Sequence, residues 1–309
     1  MESSEKAKIL VFGSCNIDHV YGVAHTVARG ETQAALSYDR FAGGKGYNQA
    51  IAVAKAGADA CFAGCIGGDG TFLLDMLCEC GVDISAVRIS DVNTGHAIIQ
   101  VGRDGDNSII VFPGANGTVD EEYVKTTLDS FGDGDILLVQ NEISCLNCLI
   151  AEAYGRKMRV ILNPSPCNEV VRSIDLGMIS DLILNEVEAL QLSGCDSEQK
   201  AIDYFTKKYP DMRVVLTLGS RGCILAHGDV RISVPAYNVC AVDTTAAGDT
   251  FTGYYVAGVA RGDGMENVLR LACAAAAISV TRRGAAPSIP KADEVRLTIG
   301  KLSLACEQS

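Results

Sequence analysis

The sequence predicts an α/β fold: a doubly wound, mainly parallel sheet flanked by helices, with a small β-sheet standing off it as a lid. Three observations carry this reading. From Asp120 onward, short apolar runs alternate regularly with helical patterns. Near-continuous apolar strands belong to a parallel sheet covered on both faces. Polar residues gather at the C-terminal ends of those runs: Asn141 and Glu142, Asn163, Asn185 with Glu186 and Glu188, then Thr217. In a doubly wound sheet those ends form one rim, where ligands bind. Finally, residues 96–101 and 107–112 flank a turn at Asp104-Gly105, a hairpin pattern foreign to βα alternation.

Taken in order, residues 8–12 are a buried strand that stops at Gly13. Asn16 and Asp18 lie just past its end, as ligand contacts or as turn formers making Asx-type hydrogen bonds. Residues 21–40 lack a helical period and read as irregular strands. With the hairpin they would make the lid, about 16–40 and 93–112. Gly43, Gly44 and Gly46 precede a helix over about 47–56 that Gly57 closes. Two phosphate-binding patterns fail here: Lys45 is followed by Gly46 and not by Ser or Thr, and Gln49 stands where the dinucleotide fingerprint needs its last glycine. With Asn48 and Gln49 opening the helix, the cluster suits a polyhydroxy ligand or a plain hinge.

Residues 60–66 form a strand and 71–80 a helix ended by Gly81. Then come helix 121–131, strand 135–140, helix 146–156, strand 159–163, strand 181–185 running into a helix from Glu186, helix 198–208 and strand 213–218. Gly219–Gly222 is a tight turn before strand 223–227. It is a simple hairpin turn or a nucleotide-phosphate contact through backbone N–H groups and Arg221. Residues 231–234 continue the strands. An alanine-rich helix over about 265–280, a loop over 282–288 and a terminal amphipathic helix finish the chain.

With 309 residues and 48% hydrophobic content, the chain can bury a full core. We read it as one domain, 1–309, without repeats or linkers. A net charge of −12 excludes the basic footprint a nucleic-acid binder needs. No apolar run approaches a membrane span, and residues 1–6 lack the apolar core of a signal peptide, so a cytoplasmic protein is expected. The 13 cysteines, an odd number, are then expected to be reduced; Cys61, Cys65, Cys223 and Cys273 fall in apolar segments. The C-x-x-C pair Cys145 and Cys148 lacks a second pair, and His19, His25, His96 and His227 are scattered, so no zinc or redox site is expected there.

The chemistry is concentrated in residues 240–259. A short apolar lead ends at Asp243, small residues follow to Gly248, and after Asp249 the pattern is helical, with Phe251, Tyr255, Gly258 and Val259 on one face. A helix start with uncovered N–H groups suits a phosphate. Asp249, in the first turn, would take a proton from a nucleophile approaching that phosphate, or would merely cap the helix.

Seven stretches together, 13–19, 43–50, 162–166, 184–188, 217–222, 242–251 and 274–288, resemble in matching order the PfkB carbohydrate kinase family, and within it the ribokinase branch. The resemblance covers about residues 9–290. It implies a ribokinase-like fold and ATP-dependent phosphorylation of the 5-hydroxyl of D-ribose, giving D-ribose 5-phosphate and ADP. Asp249 would match the catalytic base, and Ala246, Ala247 and Gly248 the anion hole. Asn16, Asp18, Gly44, Lys45, Gly46, Asn48 and Glu142, with Asp249, match sugar-contacting positions. Asn185, Thr217, Gly219, Ser220, Arg221, Gly222, Gly248 and Cys273 match nucleotide-contacting positions. Asn185 and Glu188 match the element tied to Mg²⁺ and phosphate. A potassium loop would fall on Asp243, Thr245, Ser279, Arg282, Gly284 and Ser288. The family's lid also forms a homodimer interface.

Three departures stand out. Tyr47 occupies a position usually held by Ala, and would face outward or reshape the sugar pocket. It keeps open a kinase for another substrate: deoxyribose, fructose or a nucleoside. Cys273 stands where His or Asn is frequent near the adenine. Ala246 replaces the Gly of the wider family, as ribokinases tolerate. A sugar sensor on this fold would be expected to lose Asp249 or Gly248, and both are present.

Overall fold

The computed structural model describes residues 7–104 and 106–301. The elements in order are β1 (Ile9–Phe12), β2 (Asn16–Gly22), β3 (Ser37–Gly43), α1 (Lys45–Lys55), β4 (Ala60–Gly67), α2 (Phe72–Glu79), β5 (Val87–Ser90), β6 (Gly95–Val101) and β7 (Asn107–Phe112). There follow α3 (Glu121–Leu128), β8 (Ile136–Gln140), α4 (Leu146–Gly155), β9 (Arg159–Asn163), α5 (Glu169–Arg172), β10 (Asp181–Asn185), α6 (Glu186–Ser193) and α7 (Glu198–Lys208). The chain continues through β11 (Arg213–Thr217), β12 (Cys223–His227), β13 (Val230–Val234), α8 (Ala247–Ala260), α9 (Met265–Ser279) and α10 (Ala292–Ile299).

The large sheet runs β13-β12-β11-β10-β9-β8-β1-β4-β5. Its pairings are parallel from β11 through β5; β12 and β13 join antiparallel. Successive strand residues face opposite sides, and this divides the interior in two. Ile9, Val11, Leu138, Ile161 and Val215 join the core beneath α1, α8 and α9. Leu10, Phe12, Leu137, Val139, Leu162 and Leu216 join the core beneath α3, α4 and α7. Strand order reverses at β1, which lies between β8 and β4, and the crevice at such a switch point is where this architecture binds ligands.

The small sheet runs β3-β2-β6-β7, with β2 and β6 parallel and both outer pairs antiparallel. The sequence reading placed irregular strands over 21–40. The segment instead makes β2 and β3, joined by a loop, and β3 extends to Gly43. Asn16 and Asp18 therefore lie on β2 and not in a turn after β1. The β6–β7 hairpin is as expected, although its turn residue Gly105 is outside the described residues. So are residues 1–6, where a signal peptide was sought.

The remaining boundaries shift for local reasons. α1 begins at Lys45, two residues earlier than the glycines suggested, because Gly44 at φ 96° turns the chain and the helix starts directly after it. α3 stops at Leu128, short of 131, where the chain folds back and Asp135 Oδ2 accepts from Gly132 N. β5 was not foreseen. Among the described residues no helix is long and apolar enough to cross a membrane, every cysteine is a free thiol, and no group of three or more His, Cys, Asp or Glu is placed to hold a metal.

Candidate active site

The site begins with a helix start. Ala246 adopts a left-handed conformation, φ 58° and ψ 16°, immediately before α8. That geometry costs a non-glycine residue roughly 1–2 kcal/mol. Thr250 anchors it: both its N–H and its Oγ1 donate to Ala246 O, at 2.8 Å each. The first N–H groups of α8 have no intrahelical acceptor; that of Ala247 turns to Thr244 O at 3.2 Å, and Ala246, Ala247, Gly248 and Asp249 all line one cavity of about 360 Å³.

Asp249 is 7% exposed. Its carboxylate does not cap α8, whose cap position is Ala246 and carries no side-chain bond. It turns to α1, where Asn48 Nδ2 donates to Oδ2 at 3.0 Å and Gln49 Nε2 donates to Oδ1 at 2.9 Å. Gln49 is fully buried. Its second amide proton goes to Asn163 Oδ1 at 3.1 Å, and its Oε1 accepts from Gln140 Nε2 at 2.6 Å. Asn163 is fixed in turn by donating to Ile183 O at 3.0 Å. The carboxylate is thus clamped through α1 to the C-terminal ends of β8, β9 and β10. Its two direct donors are neutral amides, which hold its position without cancelling its charge.

Close packing makes that clamp possible. A Cβ on Gly46 would lie 2.6 Å from the Gly13 backbone, so α1 can abut the end of β1 only with glycine there. A Cβ on Gly253 would lie 2.3 Å from Ala52 Cβ, so α8 and α1 touch backbone to backbone one turn beyond Asp249.

Next to the clamp lies a polar cluster. Glu142 Oε2 accepts from Lys45 N at 3.0 Å and from the Ser14 hydroxyl. Asp18 is pushed up to about 6, by burial first and then by the Glu142 charge. Asn16 Oδ1 accepts from Asn116 Nδ2 at 2.7 Å, and Asn116 Oδ1 accepts from Cys15 N. Among the described residues the Asn48 Oδ1 atom is buried without a hydrogen-bond partner. Lys45 lines the same cavity as Asp249, Asn185 and Glu188. Burial works against its charge, but the carboxylates of Asp249, Glu142 and Glu188 outweigh it and raise the amine above its ordinary value.

A second cavity, of about 350 Å³, adjoins the first; Thr217, Gly219, Thr244, Ala247 and Gly248 line both. Its walls are mostly apolar, with Phe251, Tyr237, Val239 and Cys273 beside Ser220 and Gly222. The pair suits an elongated ligand with a flat apolar end and a charged end at the α8 start.

Residues 6–292 match the family model described as pfkB family carbohydrate kinase. The chain belongs to this family. It is 35% identical to a ribokinase from Haemophilus influenzae, covering 93% of this chain and 96% of that protein. Among solved structures, ribokinase from Thermotoga maritima superposes with a TM-score of 0.85 at 35% identity, over 95% of this chain and 99% of that one. Ribokinase from Arabidopsis thaliana, solved with ribose and ATP, gives 0.80 at 32% identity, over 96% and 99%.

For a pfkB-family kinase, most residues singled out in the sequence come together. Lys45 and Ser14 share Glu142, Gly44 and Gly46 pack against Ser14, Asn48 holds Asp249, Asp18 feels the Glu142 charge, and Asn16 is placed through Asn116 beside Cys15. Asn185 and Glu188 form a capping box at the start of α6: Asn185 Oδ1 accepts from Glu188 N and Glu188 Oε2 from Asn185 N. One Glu188 oxygen stays free of that box beside the cavity. Such a site suits Mg²⁺, which keeps several waters and takes one or two carboxylates plus phosphate.

The proposed potassium positions lie on two loops that meet. Val242 N and Asp243 N both donate to Val280 O, and Gly284 N donates to Asp243 Oδ2. The other Asp243 oxygen accepts from Thr245 N and Oγ1, and these bonds help hold its carboxyl below the usual range against the opposing effect of burial. Ser279 and Ser288 are buried and donate to the carbonyls of Ala276 and Ala285, leaving their hydroxyl oxygens able to accept or ligate. Arg282 is paired with Glu294, so only its carbonyl suits a cation.

Three residues differ from expectation. Tyr47 faces neither outward nor into the pocket: it is fully buried between α1 and α2, and its hydroxyl donates to Leu73 O at 3.1 Å. Arg221 belongs to neither cavity wall. Its guanidinium is held by Glu186 at 3.0 Å and by Glu198, so its charge is already matched. Gln49 was named only as one of two amides opening a helix. Its partners lie 91 to 200 residues away, so no local pattern marks its role.

Proposed function

We propose that this chain is an ATP-dependent kinase that phosphorylates the 5-hydroxyl of D-ribose, yielding D-ribose 5-phosphate and ADP. The observation that carries the proposal is Asp249, clamped by Asn48 and Gln49 in the first turn of a helix whose start lines both cavities. The similarity to ribokinases, one of them solved with ribose and ATP, supports the same substrate.

Phosphoryl transfer is mostly positioning and electrostatics. The sugar sits among Asn16, Asp18, Asn48, Lys45 and Glu142, whose acceptors and single ammonium match its hydroxyls. Asp249 takes the proton from the 5-hydroxyl as that oxygen attacks the γ-phosphate in line. The N–H groups of Ala246 and Gly248, with that of Ala247 once it lets go of Thr244 O, receive the charge growing on the phosphoryl oxygens. Lys45 stands charged between the sugar cluster and the phosphate end. The nucleotide lies across Thr217, Gly219, Ser220 and Gly222, with its base beside Cys273. Arg221 contributes through its backbone, given how its side chain is held.

Asn185 and Glu188 would hold Mg²⁺ carried with ATP, which would supply charge neutralisation on the phosphates. A potassium ion held by the loops of Asp243, Thr245, Ser279, Arg282, Gly284 and Ser288 would fix the shape of the α8 start. The small sheet acts as a lid on one domain and excludes water. It also serves as the homodimer interface, in a cytoplasmic protein.

The deciding experiment is a substrate panel of ribose, deoxyribose, fructose and nucleosides, each with ATP, in K⁺, Na⁺ and choline buffers. Ribose should give the highest kcat/KM, and K⁺ the highest rate. A larger kcat/KM for any other acceptor would replace ribose. Equal rates in all three buffers would remove the cation loop.

A further inference from the structure

Cys223 opens β12 directly after the Gly219–Gly222 turn, and Cys273 lies on α9 across the apolar cavity wall. Their sulfurs are 3.5 Å apart, both side chains are buried, and among the described residues neither bonds to any other side chain. A disulfide needs about 2.0 Å, so the pair lacks only about 1.5 Å of approach. The two sulfurs are not equivalent. Cys273 lines the cavity, where a small solute can reach it, and Cys223 is sealed behind it. The bond to Cys273, together with burial, holds the proton on Cys223.

We infer that Cys223 and Cys273 form an oxidisable dithiol in the wall of the nucleotide cavity, modified by small peroxides that enter when the cavity is empty. The sequence read these thiols only as reduced core residues. The pairing rests on their geometry alone; the shielding by nucleotide rests on the function proposed above.

The chemistry balances as a two-electron oxidation. The Cys273 sulfur attacks a peroxide oxygen, the O–O bond breaks, and Cys273 becomes a sulfenic acid as the first water leaves. Cys223 sulfur then attacks Cys273 sulfur. The new S–S bond displaces hydroxide, which takes the Cys223 proton and leaves as the second water. Two thiols and one hydrogen peroxide give one disulfide and two waters. The product ties α9 to the strand that follows the Gly219–Gly222 turn.

The test is peptide mapping of the full-length protein under non-reducing conditions after hydrogen peroxide, with and without ATP. A Cys223–Cys273 linked peptide should appear in the free protein. In Cys223→Ser, which has no resolving thiol, a cyclic dione should label Cys273 as sulfenic acid. The inference is overturned if the exposed Cys78 and Cys240 oxidise while no 223–273 link forms. It is equally overturned if the link is absent and Cys273 stays unlabelled in the serine variant. The wild-type map does not depend on the variant folding. ATP should slow linkage at least tenfold. Linkage unaffected by saturating ATP would support the dithiol but remove the nucleotide from this cavity.

Discussion

Asp249 is a base because of what holds it. Asparagine in its place would keep the shape and lose the proton acceptor. Asp249→Asn should lower kcat on the order of 10²–10⁴-fold while ATP still binds; near-normal turnover would sink the assignment. Gln49 acts one step removed, through Asp249. Gln49→Ala should lower kcat roughly tenfold and leave KM for the sugar within about twofold, since one of two holds is lost. Gln49→Glu would set a like charge against the carboxylate and move the acid limb of the kcat profile to higher pH. An unmoved limb in that variant would show Gln49 to be structural only. Asp18 supplies a pH dependence of its own. Burial and Glu142 raise it to about 6, above its ordinary 3.8. Its ionised form accepts hydroxyl bonds, so sugar affinity should weaken about tenfold per pH unit below 6. A dissociation constant flat between pH 5 and 7 by calorimetry would refute this. For stability the sign is opposite. The folded state favours the protonated carboxyl, so its stabilising contribution is full below about 3.8 and is lost as pH rises through 6.

At the scale of elements, legibility followed the range of the determining contacts. The start of α6 and both ends of α7 were legible to the residue, because Asn185 with Glu188 and Ser197 are local cap signals. The inner strands of the parallel sheet showed as apolar runs because both faces are buried, whereas the half-exposed edge strand β5 did not. β2 and β3 showed only as irregular strands without definite bounds, because they are held by each other and by β6, far along the chain, and their residues alternate poorly. Tyr47 was misjudged for a related reason: its neighbours lie on α2, which the sequence could not place. The close contact between α1 and α8 gives a test at this scale. In an isolated helix Gly253→Ala would stabilise by about 1 kcal/mol. Here the added methyl meets Ala52, and overpacking should cost roughly 1–3 kcal/mol. Melting should fall by a few degrees, with kcat reduced because α8 carries Asp249. A raised melting temperature would mean the helices do not touch as described.

At the scale of the molecule, the most apolar exposed surface is the small sheet. Tyr38, Ile110 and Phe112 on one face of it, and Phe41, Ile109 and Val111 on the other, are each about half exposed or more. A patch of that kind marks an interaction site, and a second copy of the chain is the partner we propose. Ile110→Asp should shift sedimentation from dimer to monomer. A wild-type protein that sediments as a monomer at micromolar concentration would refute the interface.

The clamp on Asp249 has one more consequence, for ionic screening. A carboxylate held by lysine or arginine is gripped by a field that dissolved ions weaken. Amide dipoles in direct contact are nearly indifferent to salt, whereas the attraction between Asp249 and Lys45 is screened. Lys45 and the phosphate end of the cavity are not so insulated. Rising ionic strength therefore loosens how substrates are gathered and leaves untouched the aim of the group that reacts with them.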